Sequence, residues 1–138
     1  MTSTAVQFER DESTRAGAET ILVVDDDQAT RGLIAAIVQR RGSRPVIAAS
    51  VAEARDVLAR EHVDLVVTDL NMPGVHGLDL LAELSAASDA PPALVVSGTA
   101  DRSAKRAALL LGARAVVEKP FGLTRLRDAI DSALASPP

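Results

Sequence analysis

The sequence predicts a doubly wound α/β domain built on a five-stranded parallel sheet. Three observations predict it. Five short apolar runs recur along the chain: Ile21–Val24, Val46–Ala49, Leu65–Thr68, Ala93–Val96 and Ala115–Val117. They are β-branched and mostly continuous rather than alternating, as strands buried on both faces are. Segments with helical apolar spacing separate them. The chain has 138 residues, 47% hydrophobic and 25% charged, which suits one globular domain.

Each element has its own local reason. Residues 1–19 are polar, mixed in charge and without apolar period, so they read as a disordered leader, dispensable for activity. The first helix, from about Gln28 to Arg41, places Leu33, Ile34, Ile37 and Val38 on one face and stops at Gly42. The second begins at a capping box, Ser50 to Glu53, and carries Val51, Ala54, Val57 and Leu58. A short third helix holds Leu78, Leu81 and Leu84. The fourth turns Ala104, Ala107, Ala108 and Leu111 inward and ends at Gly112; the fifth does so with Leu123, Leu126, Ile130 and Ala133. Right-handed crossovers join the strand–helix pairs into one domain over residues 20–135, and residues 136–138 form a tail.

Composition excludes several functions. There is no cysteine, hence no disulfide framework, thiolate metal site or thiol nucleophile. The net charge is -4, with no basic block to bind nucleic acid. The aromatics are Phe8 and Phe121, with no Trp or Tyr, so base-stacking platforms are out. No apolar run approaches the ~18 residues of a membrane span, and no signal-peptide core appears. The expectation is a cytoplasmic protein that binds neither membrane nor nucleic acid.

In doubly wound sheets, sites form at the carboxyl ends of the strands. Asp25-Asp26-Asp27 follows the first strand, Asp69-Leu70-Asn71 the third, Ser97-Gly98-Thr99 the fourth and Glu118-Lys119-Pro120 the fifth. Carboxylates gathered on one rim repel each other, and a hard divalent cation relieves that repulsion. A hydroxyl and an ammonium beside them suit a phosphoryl group. A carboxylate can itself be the nucleophile, forming an aspartyl phosphate.

Four motifs in this order, ILVVDDD (Ile21–Asp27), DLVVTDLNMPGVHG (Asp64–Gly77), LVVSG (Leu94–Gly98) and VVEKPF (Val116–Phe121), resemble the receiver domains of two-component response regulators. The chain is closest in outline to the stand-alone chemotaxis type. The resemblance implies a flavodoxin-like (βα)5 fold with strand order 2-1-3-4-5. It implies Asp69 as phosphoacceptor, with Ser97 as switch hydroxyl and Lys119 contacting the phosphoryl group. Asp25 and Asp26 would hold Mg²⁺ or Mn²⁺ together with Asp69 and the Asn71 backbone carbonyl, and Lys119-Pro120 matches a bond that is cis in the family. The donor would be the phosphohistidine of a histidine kinase or histidine phosphotransferase. The protein would be an acceptor rather than an enzyme. As a monomer or loosely associated dimer, it would signal by contact with an output protein, because no second domain follows Leu134.

Other readings remain beside this one. Asp25-Asp26-Asp27 alone suits a helix N-terminus, Asp69 a turn residue, Ser97 loop chemistry and Lys119 a solvated strand end. Lys119 is one of only two lysines, with Lys105, in an arginine-rich chain, which favours a role for a compact ammonium. His62 and His76 read as surface groups. The haloacid dehalogenase-like phosphohydrolases also use a strand-end Asp, but need an acid two positions later, where this chain has Asn71. A flavodoxin-type phosphate loop would be Ser/Thr/Gly-rich, whereas three aspartates repel phosphate. A receiver-like adaptor that is never phosphorylated is the remaining alternative. Position 116 is Val, where many receivers carry an aromatic that moves on activation, so signalling is expected to run through the loop after Ser97 and the helix bearing Arg102, Lys105 and Arg106.

Overall fold

The computed structural model describes residues 19–71, 77–98 and 102–135. Strands and helices alternate without exception. They are β1 Thr20–Val24, α1 Gln28–Arg40, β2 Arg44–Ala48, α2 Val51–Arg60, β3 Leu65–Thr68, α3 Gly77–Ala86, β4 Ala93–Ser97, α4 Arg102–Leu110, β5 Val116–Glu118 and α5 Leu123–Ala135. The sheet order is β2-β1-β3-β4-β5 and every pairing is parallel. This is the flavodoxin-like topology that the resemblance implies.

Alternation of side chains across the sheet makes two cores. Leu22, Val24, Val66 and Val95 pack with Val51, Ala54 and Val57 of α2, Leu80 and Leu81 of α3 and Ala108 of α4. Ile21, Val23, Leu65, Val67, Leu94 and Val96 pack on the other face with Ile34, Ile37 and Val38 of α1 and Leu126, Ala129 and Ile130 of α5. The continuous apolar runs of β3 and β4 are thus buried at every residue.

Local chemistry sets the ends of the helices. The Asp27 side chain caps α1 by accepting from the Thr30 amide at 3.0 Å. Ser50 caps α2 by accepting from the Glu53 amide, while the Glu53 carboxylate reaches back to the Ala49 amide at 2.8 Å. The reciprocal contact falls one residue before the cap. Gly42 and Gly112, at φ 96 and 99, end α1 and α4 in the left-handed conformation that glycine alone adopts cheaply.

Three apolar expectations are corrected. Leu33 is 52% exposed and Leu123 47%. Leu33 lies roughly a quarter-turn from the centre of the Ile34–Ile37–Val38 stripe, and Leu123 stands at the very start of α5. Ile47 is 54% exposed because β2 is an edge strand, paired only with β1. The expectation of strands covered on both faces fails for β2, and both it and β5 are edges. Arg44 donates its amide to Glu19 and Ala48 accepts from Asp25, so residues 44 and 48 face β1 while Pro45 and Ile47 face outward. The boundaries also differ: β2 begins at Arg44, β4 runs through Ser97, and β5 spans Val116–Glu118.

At the end of the sheet where β1 begins, the half-buried Arg41 guanidinium joins Glu19, Ser43 and Asp131 of α5. No helix among the described residues is long and apolar enough to cross a membrane. Residues 1–18 of the leader, His76, residues 99–101 of the loop after Ser97 and the tail 136–138 lie outside the described residues. Glu19, placed in the disordered leader from sequence, is instead held: its carboxylate accepts from Arg41 and its carbonyl from the Arg44 amide. His62 is exposed and contacts Asp64.

Candidate functional site

The strand register carries the site. Val24 lies beside Thr68, and Ser97 beside Glu118, so the residues that follow the β1, β3 and β5 ends come out on one rim. Carboxylate oxygens of Asp25, Asp26 and Asp69 lie within 4.8 Å of one another. The Lys119 ammonium sits between two of them, 3.0 Å from Asp25 Oδ2 and 3.1 Å from Asp69 Oδ2. Asp25 and Asp69 are buried, while Asp26 is exposed.

Each acid is placed by its surroundings. The Asp25 amide donates to the Ala48 carbonyl, and Asp25 Oδ1 accepts from the Asp27 amide at 2.9 Å. The Asp69 amide donates to Val24 at 3.1 Å, tying the β3 end to β1. Asp69 Oδ1 accepts from the Asn71 amide at 3.2 Å, and the Thr68 hydroxyl donates to the Asp69 carbonyl at 3.0 Å. Ser97 is fully buried at the end of β4, between the strands that carry Asp69 and Lys119, and its carbonyl accepts from the Lys119 amide at 2.9 Å. The peptide bond Lys119-Pro120 is cis.

The electrostatics are unbalanced. Burial alone would lower the proton affinity of Lys119, but its hydrogen bonds to Asp25 and Asp69 outweigh that and hold it above the ordinary lysine value of 10.5. The ammonium is therefore charged throughout the neutral range. One ammonium still faces three carboxylates. An all-oxygen donor set with excess negative charge fits a hard divalent cation, so the residues present match the group the sequence implies. Asp27 stands apart: its carboxylate is engaged by the Thr30 hydroxyl and amide, which hold it below the ordinary carboxylate range.

Two residues near the acids were not singled out from sequence. Arg31 of α1 donates to the Asp25 carbonyl at 2.8 Å. Gly77, at the start of α3, is pressed against the exit of β3. A Cβ there would stand 2.2 Å from the Asp69 carbonyl oxygen and 2.9 Å from Leu70 Cα. Both are backbone atoms that cannot swing away. Gly77→Ala should therefore lower stability by ~1–3 kcal/mol, the usual range for overpacking. A denaturant midpoint equal to that of the wild type would contradict this packing. The only signal in the sequence was a glycine where a helix starts.

Lys119 lines a cleft of about 370 Å³ with Thr30, Leu33, Pro120 and Phe121. A cleft of about 440 Å³ between α2 and α3 is lined by none of these acids, Ser97 or Lys119.

Residues 21–131 match the sequence profile of the response regulator receiver domain. The chain is 31% identical over 120 residues to the sensory/regulatory protein RpfC of Xanthomonas campestris pv. campestris, covering 84% of this chain but only 16% of that protein. It is 28% identical over 112 residues to sporulation initiation phosphotransferase F of Bacillus subtilis, covering 81% of this chain and 90% of that one. Among solved structures, a response regulator receiver protein from Pseudomonas putida superposes with a TM-score of 0.78 at 31% identity, over 83% of this chain and 97% of the other.

Proposed function

This chain belongs to the response regulator receiver domain family, and from that premise we propose that Asp69 accepts a phosphoryl group from a phosphohistidine. The observation that carries the proposal is the Lys119 ammonium held between Asp69 and Asp25. In the transfer, an Asp69 carboxylate oxygen attacks phosphorus in line and the P–N bond to the donor imidazole breaks. The electron pair leaves with the imidazole. Lys119 passes from its carboxylate partners to a phosphoryl oxygen, and Ser97 donates its hydroxyl to another. Asp25, Asp26, Asp69 and the Asn71 backbone carbonyl would hold Mg²⁺ or Mn²⁺, which would offset charge on the phosphoryl oxygens. The donor is a histidine kinase or histidine phosphotransferase, and the product signals by contact with another protein. The chain is an acceptor that supplies groups for its own modification, not an enzyme acting on a separate substrate. Incubation with Mg²⁺ and a small acyl phosphate, read by intact mass, tests this. A wild type that gains no phosphate would sink the proposal and favour an adaptor that is never phosphorylated.

The cation should depend on Asp25 and Asp26 and not on Asp27. Asp27→Asn keeps a good N-cap, since Asn and Asp cap about equally well, and removes a carboxylate already engaged by Thr30. We expect Mg²⁺ affinity to fall sharply for Asp25→Asn and Asp26→Asn and to stay near wild type for Asp27→Asn. A larger loss for Asp27→Asn would reverse the assignment.

Any output signal has to leave without an aromatic toggle. Val116 is partly buried against the core on the α4 side, and Lys105 of α4 pairs with Glu118, the neighbour of Lys119. This pair supports a route from the site to α4.

A further inference from the structure

Asp26 is the one acid of the three that the protein does not hold by its side chain. It is exposed, and among the described residues its carboxylate has no hydrogen bond or ion pair. Its place is set instead by the two peptides that flank it. The Asp26–Asp27 peptide is held by its N–H, which donates to Asp25 Oδ1 at 2.9 Å. The Asp25–Asp26 peptide is held by its carbonyl oxygen, which accepts from the Arg31 guanidinium at 2.8 Å.

We propose that Arg31 is a positioning residue for the divalent-cation site, fixing the Asp25–Asp26 peptide so that the Asp26 carboxylate stays with those of Asp25 and Asp69. The inference rests on the cation site proposed above. Arg31 suits the task because its own backbone is fixed: its amide donates to the Asp27 carbonyl at 2.9 Å in the first turn of α1. A charge-assisted hydrogen bond from a planar guanidinium also sets a direction as well as a distance.

Charge and position pull in opposite directions here. A guanidinium near a cation site repels the cation, so a residue acting by charge alone would weaken binding, and its removal would tighten it. A residue that orients a ligand does the reverse. Loss of such outer partners costs about 10–100-fold in metal affinity.

The experiment is an Mg²⁺ titration of the unphosphorylated protein, followed by amide shifts because the chain has no Trp. Arg31→Met should bind Mg²⁺ about tenfold or more weakly and show faster hydrogen exchange at the Asp26 and Asp27 amides. Arg31→Lys, which keeps a cationic donor, should recover part of the loss. Arg31→Gln, too short to reach the carbonyl, gives the same reading should Arg31→Met not fold. Binding by Arg31→Met equal to or tighter than wild type would overturn the positioning role while leaving the cation site intact. A wild type that binds no Mg²⁺ would overturn the cation site and this inference with it.

Discussion

Asp69→Asn should fold, bind its neighbours much as the wild type does, and take no phosphate. The amide is close in shape to the carboxylate, and its oxygen still accepts from the Asn71 amide as Asp69 does at 3.2 Å. What disappears is the proposed nucleophile, because a carboxamide oxygen does not attack phosphorus in this setting. One of three crowded carboxylates disappears too, which relieves repulsion rather than adding it. The expected result is a full loss of the mass adduct with a thermal midpoint equal to or above that of the wild type. An adduct that persists on Asp69→Asn would place the acceptor on another residue and remove the basis of the site.

Lys119→Met should produce the largest loss of stability at the site in the absence of divalent cation. The substitution keeps much of the aliphatic stem and deletes the charge. Asp25 and Asp69, whose side chains are 1% and 8% exposed, then face each other with no ammonium between them. Removing one partner of a buried pair is costly because the other charge stays buried. The cost should be on the order of 3 kcal/mol, since Lys119 itself is partly open to water. Its pH dependence follows from the raised lysine value. A group whose folded value lies above its unfolded 10.5 contributes fully below 10.5 and loses that contribution as pH rises through the folded value. The gap between wild type and Lys119→Met should therefore not vary through lysine titration between pH 6 and 9, and should narrow in stronger alkali. Added Mg²⁺ should stabilise the variant more than the wild type, because no ammonium competes for the same oxygens. Equal stabilities in chelator would show that the ion pair contributes nothing, and would leave Lys119 only a role toward the phosphoryl group.

The strand-end acids were legible because topology does the assembling. Once β1, β3 and β5 are parallel, Asp25, Asp69 and Lys119 must emerge at one rim, however far apart they lie in sequence. The cores were legible where the apolar stripe is narrow, as at Ile34, Ile37 and Val38. They were misread at Leu33 and Leu123, because period alone does not say how wide a stripe the sheet covers or how far a helix overhangs it. Ile47 shows the same gap for strands: an apolar run does not reveal which strand lies at an edge. Arg31 and Gly77 were invisible for another reason. Their partners are main-chain atoms, the Asp25 carbonyl and the Asp69–Leu70 backbone, and backbone atoms carry no sequence signature.

The two sheet margins have a consequence for life in a crowded solution. An unpaired strand margin is a template on which a foreign segment can add itself through main-chain hydrogen bonds. Here the outward positions of β2 include Pro45, which has no N–H to offer, and the strand ends only three residues later at Ala48. The opposite margin, β5, is three residues long, and the Lys105–Glu118 pair ties α4 to its last residue. Neither margin presents the run of free donors and acceptors that strand addition needs. Each margin therefore offers an incoming strand only a short stretch of main-chain groups, interrupted at Pro45 on one side and limited to three residues on the other.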